Sequence, residues 1–171
     1  AMYQAKKSGR NNYQFFAPEM NTRTQEMLAL EAALRVAIER DQLCLHFQPQ
    51  IDAHYGRIIG SEALVRWQHP ELGLIAPNRF IPLAEESGFI VTIGHWVMQE
   101  AVRQALVWQL AGRPVVVSVN VSALQFQQGD FVARVSQAIE QAGLNPALLE
   151  LELTESTLMK DVNETLARLH A

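Results

Sequence analysis

The chain has 171 residues, of which 49% are hydrophobic and 19% charged, a globular balance that excludes an intrinsically disordered polypeptide. The formal net charge is −4, so there is no basic footprint for duplex nucleic acid or an anionic membrane, although a small phosphate ligand held by an arginine or by metal ions stays open. A single cysteine, Cys44, rules out an internal disulfide and a four-cysteine metal site, which points to the reducing cytoplasm.

Residues 1–16 read as the end of a helix, a Gly9 stop and a short strand, with a boundary between units around Ala17 to Asn21, where Pro, Asn and Thr cluster. Helical spacing of Met27, Leu28, Leu30, Leu34, Val36 and Ile38 predicts a helix from Pro18 to Arg40. Residues 43–52 and 57–67 predict two strands across a tight turn at His54, Tyr55 and Gly56. A Pro- and Gly-rich loop then leads to a short helix around Phe80 to Glu86, stopped by Gly88. A long helix is expected from Ile90 to Leu110. Residues 114–122, with five valines, predict a buried strand without a solvated face. A helix over 130–142 ends at Gly143, and alternation over 148–156 predicts a strand with Glu150 and Glu152 on one side. A last helix starts near Ser156. Strands alternating with helices argue for α/β architecture with a largely parallel sheet. Only four barrel-grade strands are present, so the length fits an open sheet, whereas a closed eight-stranded barrel typically takes about 250 residues.

Three oxygen-bearing side chains fall at or near predicted strand ends: Glu62, Asn120 and Glu152. Carboxyl ends of strands in such sheets form a ligand-binding rim, and Glu and Asn oxygens are the hard donors that Mg²⁺ or Mn²⁺ prefers. Each alone is as well explained by a solvated face, an ion pair or a turn cap. Asn120 interrupts a run of valines, where an unpaired buried amide costs roughly 1–3 kcal/mol, so it calls for a partner. Arg66 shares a strand face with Glu62 and suits either bidentate phosphate contact or a plain Glu62–Arg66 ion pair. Pro49 is excluded from a central strand interior, which puts Gln48 at a strand end. Glu152 and Glu155, three apart, point to opposite faces of a strand and make a poor glycosidase pair. The five histidines lack zinc-hydrolase spacing, and no GxSxG, Walker or GxGxxG sequence occurs.

Six blocks in one order resemble the EAL-domain family of bacterial cyclic-di-GMP phosphodiesterases: FQPQID (47–52), SEALVRWQHPELG (61–73), PNRFIPLAEESG (77–88), WVMQEAVRQALVW (96–108), VSVNVSALQF (117–126) and LELTESTLMKD (151–161). The first sixteen residues are similar to the extreme end of a GGDEF, or diguanylate cyclase, domain. The resemblance implies a TIM-like (β/α) barrel with an antiparallel first strand, of which this chain holds about the first half. Residues 1–17 are then the end of the GGDEF domain and a linker, and 18–171 the N-terminal part of the EAL domain. It implies two Mg²⁺ or Mn²⁺ ions and opening of cyclic-di-GMP to linear pGpG in the full-length parent. By position, Glu62, Asn120 and Glu152 match metal ligands, and Gln48, Leu64, Arg66 and Pro82 match substrate contacts. Glu62 and Glu155 match catalytic positions, Glu155 as a glutamate that steadies a nearby loop.

The family's paired-aspartate block, a later lysine and a further glutamate are expected beyond Ala171. The fragment is therefore expected to be inactive and not to stand as a stable monomer, because the strand at 148–156 would keep a bare edge and inner-face residues such as Val117 and Val119 would meet water. The alternatives are a catalytically silent cyclic-di-GMP receptor and a protein-interaction module. Expected partners are cyclic-di-GMP, a second copy through the EAL domain, and a sensor or GGDEF domain in the same parent. No nucleic acid polymer is expected. The expected location is the cytoplasm, with any membrane anchor in other segments of the parent.

Overall fold

The computed structural model describes the backbone of residues 18–153 and the side chains of residues 25–153. The expectations for residues 1–17, for Glu155 and for the helix near Ser156 lie outside these residues.

Helix α1 (Pro18–Arg35) ends five residues before the expected Arg40. Its last apolar residues continue as tight turns, with the Val36 and Ala37 amides bonding three residues back to Ala33 and Leu34, and the chain reverses at Asp41 with φ of 52°. Strands β1 (Leu43–Ile51) and β2 (Ile58–His69) form the expected antiparallel hairpin, in which Gln48 lies opposite Glu62 and Cys44 opposite Arg66. The Pro- and Gly-rich segment is not all loop: β3 (Gly73–Ile75) folds back on β2, pairing Ile75 with Trp67. Helix α2 (Pro77–Glu86) starts three residues earlier than expected, because Pro77 has the fixed φ and missing N–H that suit the first helical turn.

Helix α3 (Ile90–Leu110) has the expected bounds. It buries Ile90, Ile93, Gly94, Val97, Met98, Ala101, Val102 and Ala105, a continuous stripe at intervals of three and four. Strand β4 (Val116–Val121) follows, then two elements without a sequence expectation: the one-turn helix α4 (Ala123–Phe126), capped by Ser122, and a 3₁₀ turn at Pro146–Leu148. Between them runs α5 (Phe131–Ala142), ended by Gly143 at φ of 70°, where a side chain would be strained. Strand β5 (Leu149–Leu153) closes the described chain.

The sheet order is β1-β2-β4-β5, with β3 on β2; β2, β4 and β5 are mutually parallel and β1 is antiparallel to β2. The period of two divides each strand between two faces. One face carries Leu43, Leu45, Phe47, Ala63, Trp67, Val117, Val119 and Leu151 into the core against the helices. Trp67 is fully buried, meets Phe80 of α2 edge to face at 5.8 Å and donates its indole N–H to Gln42 at 3.2 Å. Two expectations are corrected here. Val117 and Val119 are 0% and 1% exposed because they belong to the helix-covered face rather than to an open inner one. Likewise β4 is not buried on both sides, since Asn120 on its other face is exposed.

Candidate functional site

The opposite sheet face gathers the polar residues. Even-numbered positions put Cys44, His46 and Gln48 of β1, Glu62, Leu64 and Arg66 of β2, Ser118 and Asn120 of β4, and Glu150 and Glu152 of β5 on this side. The register sets Glu62 beside Ser118 and Asn120 beside Glu152. Across the parallel pair, the Asn120 side-chain amide donates to Glu62 Oε1 at 2.7 Å. One layer away, the Ser118 hydroxyl donates to Glu150 Oε1 at 3.3 Å.

Asn120 is not the buried amide that the run of valines predicts. It does not pay a burial penalty among valines, because it is exposed and its partner is Glu62. Glu62 is not at a strand end either: it is the fifth residue of twelve in β2. Only residues 60–63 of β2 pair with β4, and beyond them β2 continues as a ribbon with β1 and β3, so Glu62 stands near the end of the parallel ladder rather than of its strand. Gln48 is also inside its strand, since Pro49 pairs with Ser61 and β1 lies at the edge of the described sheet, where a missing N–H can face outward. Arg66 forms no ion pair with Glu62; its guanidinium donates to the Val65 carbonyl at 3.0 Å. The ion pairs among the described residues are helical ones, Arg35–Glu31, Arg103–Glu100 and Arg134–Asp130.

Pro82 does not join this face. It is exposed on α2 and lines a groove with His69, Arg79, Arg40 and Leu30, a set that includes none of the sheet-face residues. Sequence reasoning passed over Ser118, which is fully buried and holds Glu150. The two-residue period from Asn120 was the signal that could have found it.

Chemically, Glu62, Asn120 and Glu152 offer two carboxylates and one amide oxygen from three neighbouring strands. With its nitrogen committed to Glu62, Asn120 keeps Oδ1, and Glu62 keeps Oε2, without a partner among the described residues. Hard oxygens of this kind fit Mg²⁺ or Mn²⁺ better than a soft metal. Among the described residues no three His, Cys, Asp or Glu side chains converge on a metal position, so such a set depends on Asn120. No helix among the described residues is long and apolar enough to cross a membrane.

A mostly parallel sheet with one antiparallel hairpin, helices on one face and acidic residues on the other is an α/β architecture of the kind that binds ligands at the carboxyl ends of its strands. The family model for the EAL domain matches residues 31–171, and the chain belongs to that family. It is 50% identical over 167 residues to the bifunctional diguanylate cyclase/cyclic di-GMP phosphodiesterase MucR of Pseudomonas aeruginosa, covering 97% of this chain and 24% of that protein. It is 44% identical over 161 residues to the cyclic di-GMP phosphodiesterase PdeR of Escherichia coli, covering 94% of this chain and 24% of that one. The solved structure of the MucR phosphodiesterase in complex with c-di-GMP superposes with a TM-score of 0.80 at 48% identity, over 83% of this chain and 58% of that one. The chain thus spans about a quarter of the length of these curated relatives. The matching structures are EAL domains, whose fold is TIM-barrel-like, in agreement with the expected antiparallel first strand.

Proposed function

We propose that the parent of this chain hydrolyses cyclic-di-GMP to linear pGpG, with Glu62, Asn120 and Glu152 as ligands of Mg²⁺ or Mn²⁺. The observation that carries this reading is the Asn120–Glu62 hydrogen bond of 2.7 Å beside Glu152, which presents oxygens from three strands on one face. A divalent cation bound there would supply positive charge to the phosphodiester and ease deprotonation of a water. Asn120 orients the Glu62 carboxylate and neutralises none of its charge, so the pair keeps its attraction for a cation. Arg66, whose guanidinium has one partner among the described residues, a backbone carbonyl, can turn its remaining N–H groups to a phosphate. Gln48, opposite Glu62, and Leu64 flank the pair and would contact substrate on either side. Pro82 would contact it from α2, and Glu155 would steady a neighbouring loop.

Residues 18–171 are read as the front part of the EAL domain and 1–17 as the end of a GGDEF domain, as the name of the bifunctional relative suggests. A second copy through the EAL domain belongs to the same reading, as does a place in the cytoplasm. The test is chromatographic: the full-length parent with Mn²⁺ or Mg²⁺ should convert cyclic-di-GMP to pGpG, and chelation should stop it. Binding that persists without conversion would identify a receptor instead.

A further inference from the structure

A second concave site lies in the helical layer, where α3, α4 and α5 meet around a cavity of about 250 Å³. Gln125 of α4 lines it and is only 6% exposed. Its backbone N–H donates to the Ser122 hydroxyl at 3.1 Å and its carbonyl accepts from Gln128, yet its side-chain amide has no partner among the described residues. Those amide atoms are not sealed in the core, because no fully enclosed side-chain nitrogen or oxygen among the described residues lacks a partner. They open on the cavity. The amide is also held in place: it lies over Gly94 of α3, where a Cβ would stand 2.1 Å from Oε1, 2.4 Å from Cδ and 2.7 Å from Nε2. A buried amide without a protein partner is costly unless something in the cavity completes its bonds.

We propose that this cavity binds a small flat molecule that presents a primary amide or lactam edge on an aromatic ring. A glutamine amide offers one acceptor and one donor side by side, and the complementary edge is another amide or lactam. Met98 and Phe131 supply apolar and aromatic wall for a ring. Asp130 and Arg134 at the cavity satisfy each other at 2.6 Å, so the one cation of the lining with a permanent charge is already paired, and His95 is the remaining ionisable group there. At about 250 Å³ the cavity is slightly smaller than the roughly 300–1,000 Å³ of sites for drug-sized ligands, so the ligand is of fragment size.

The proposal is tested by titrating benzamide into the full-length parent, isotopically labelled at Gln and Met, and following the Gln125 side-chain NH₂ and the Met98 methyl by NMR. Saturable shifts in roughly the millimolar range are expected. Acetophenone, with the same ring and carbonyl but no N–H donor, is expected to bind about tenfold more weakly. Gln125→Leu should reduce benzamide to the level of acetophenone, and Gly94→Ala, which pushes the amide aside, should do the same. Absence of shifts up to about 10 mM, or equal binding of the two compounds, overturns the proposal. Unchanged benzamide binding in either variant overturns it too. The comparison of the two compounds uses the unaltered protein, so it decides the matter even where a variant fails to fold.

Discussion

The two faces of one sheet use the same strands for opposite purposes. On the helix side, Ala63, Trp67, Val117 and Val119 are 3% exposed or less, and their contribution is apolar area removed from water. On the other side, one residue along each strand, Asn120 and Glu62 meet through a short hydrogen bond and Glu152 stands beside Asn120 in the register. A shift of one residue in register would exchange these roles wholesale. The lesson is that stability and chemistry are separable here by position parity, and substitutions on the two faces should move different observables.

The largest effect is expected from Trp67→Ala, which removes a fully buried ring packed on Phe80 and should cost about 3–5 kcal/mol of stability. Denaturant unfolding of the full-length parent checks it, and a loss under about 1 kcal/mol would break the division between the faces. Next is Glu62→Ala in the full-length parent. We expect hydrolysis of cyclic-di-GMP to fall by more than about a hundredfold while the melting temperature stays close to that of the unaltered protein. Unchanged turnover would remove Glu62 from the proposed metal set. Val117→Ala on the covered face should cost about 2 kcal/mol with turnover retained, which sharpens the contrast with its neighbour one residue away. Arg66→Ala is expected to raise KM more than it lowers kcat, and a pure kcat effect would speak against a phosphate contact in the ground state.

The smallest effect lies away from both faces. The hydrogen bond from Arg103 holds the Glu100 carboxyl below its ordinary range. A carboxylate with a depressed folded-state value stabilises above its unfolded value, and that contribution is lost as pH falls through the folded one. For this exposed pair the gain is under about 1 kcal/mol. Arg103→Ala should therefore lower the melting temperature slightly at neutral pH, and the difference should vanish in acid.

Local pattern alone gave α3 its bounds, because an unbroken apolar stripe leaves only one way to face a core. It also gave the β1–β2 hairpin, the stop at Gly143, and the shared side of Glu150 and Glu152, all of which depend on residues near one another in sequence. The family resemblance, carried by short blocks, supplied the proposed ligands as a set. Tertiary pairing decided the rest. β3 exists only because β2 offers it a ladder, and three residues have no periodicity to read. Pro49 can sit within a strand because β1 is at the edge of the described sheet. Which face of β4 the helices cover is a property of the whole sheet, so the run of valines looked uniformly buried in sequence although Asn120 is exposed. The bond between Asn120 and Glu62 joins residues 58 positions apart. Composition and spacing act over a few residues, whereas register between distant strands is set by packing the covered face, and that packing brings the two side chains together.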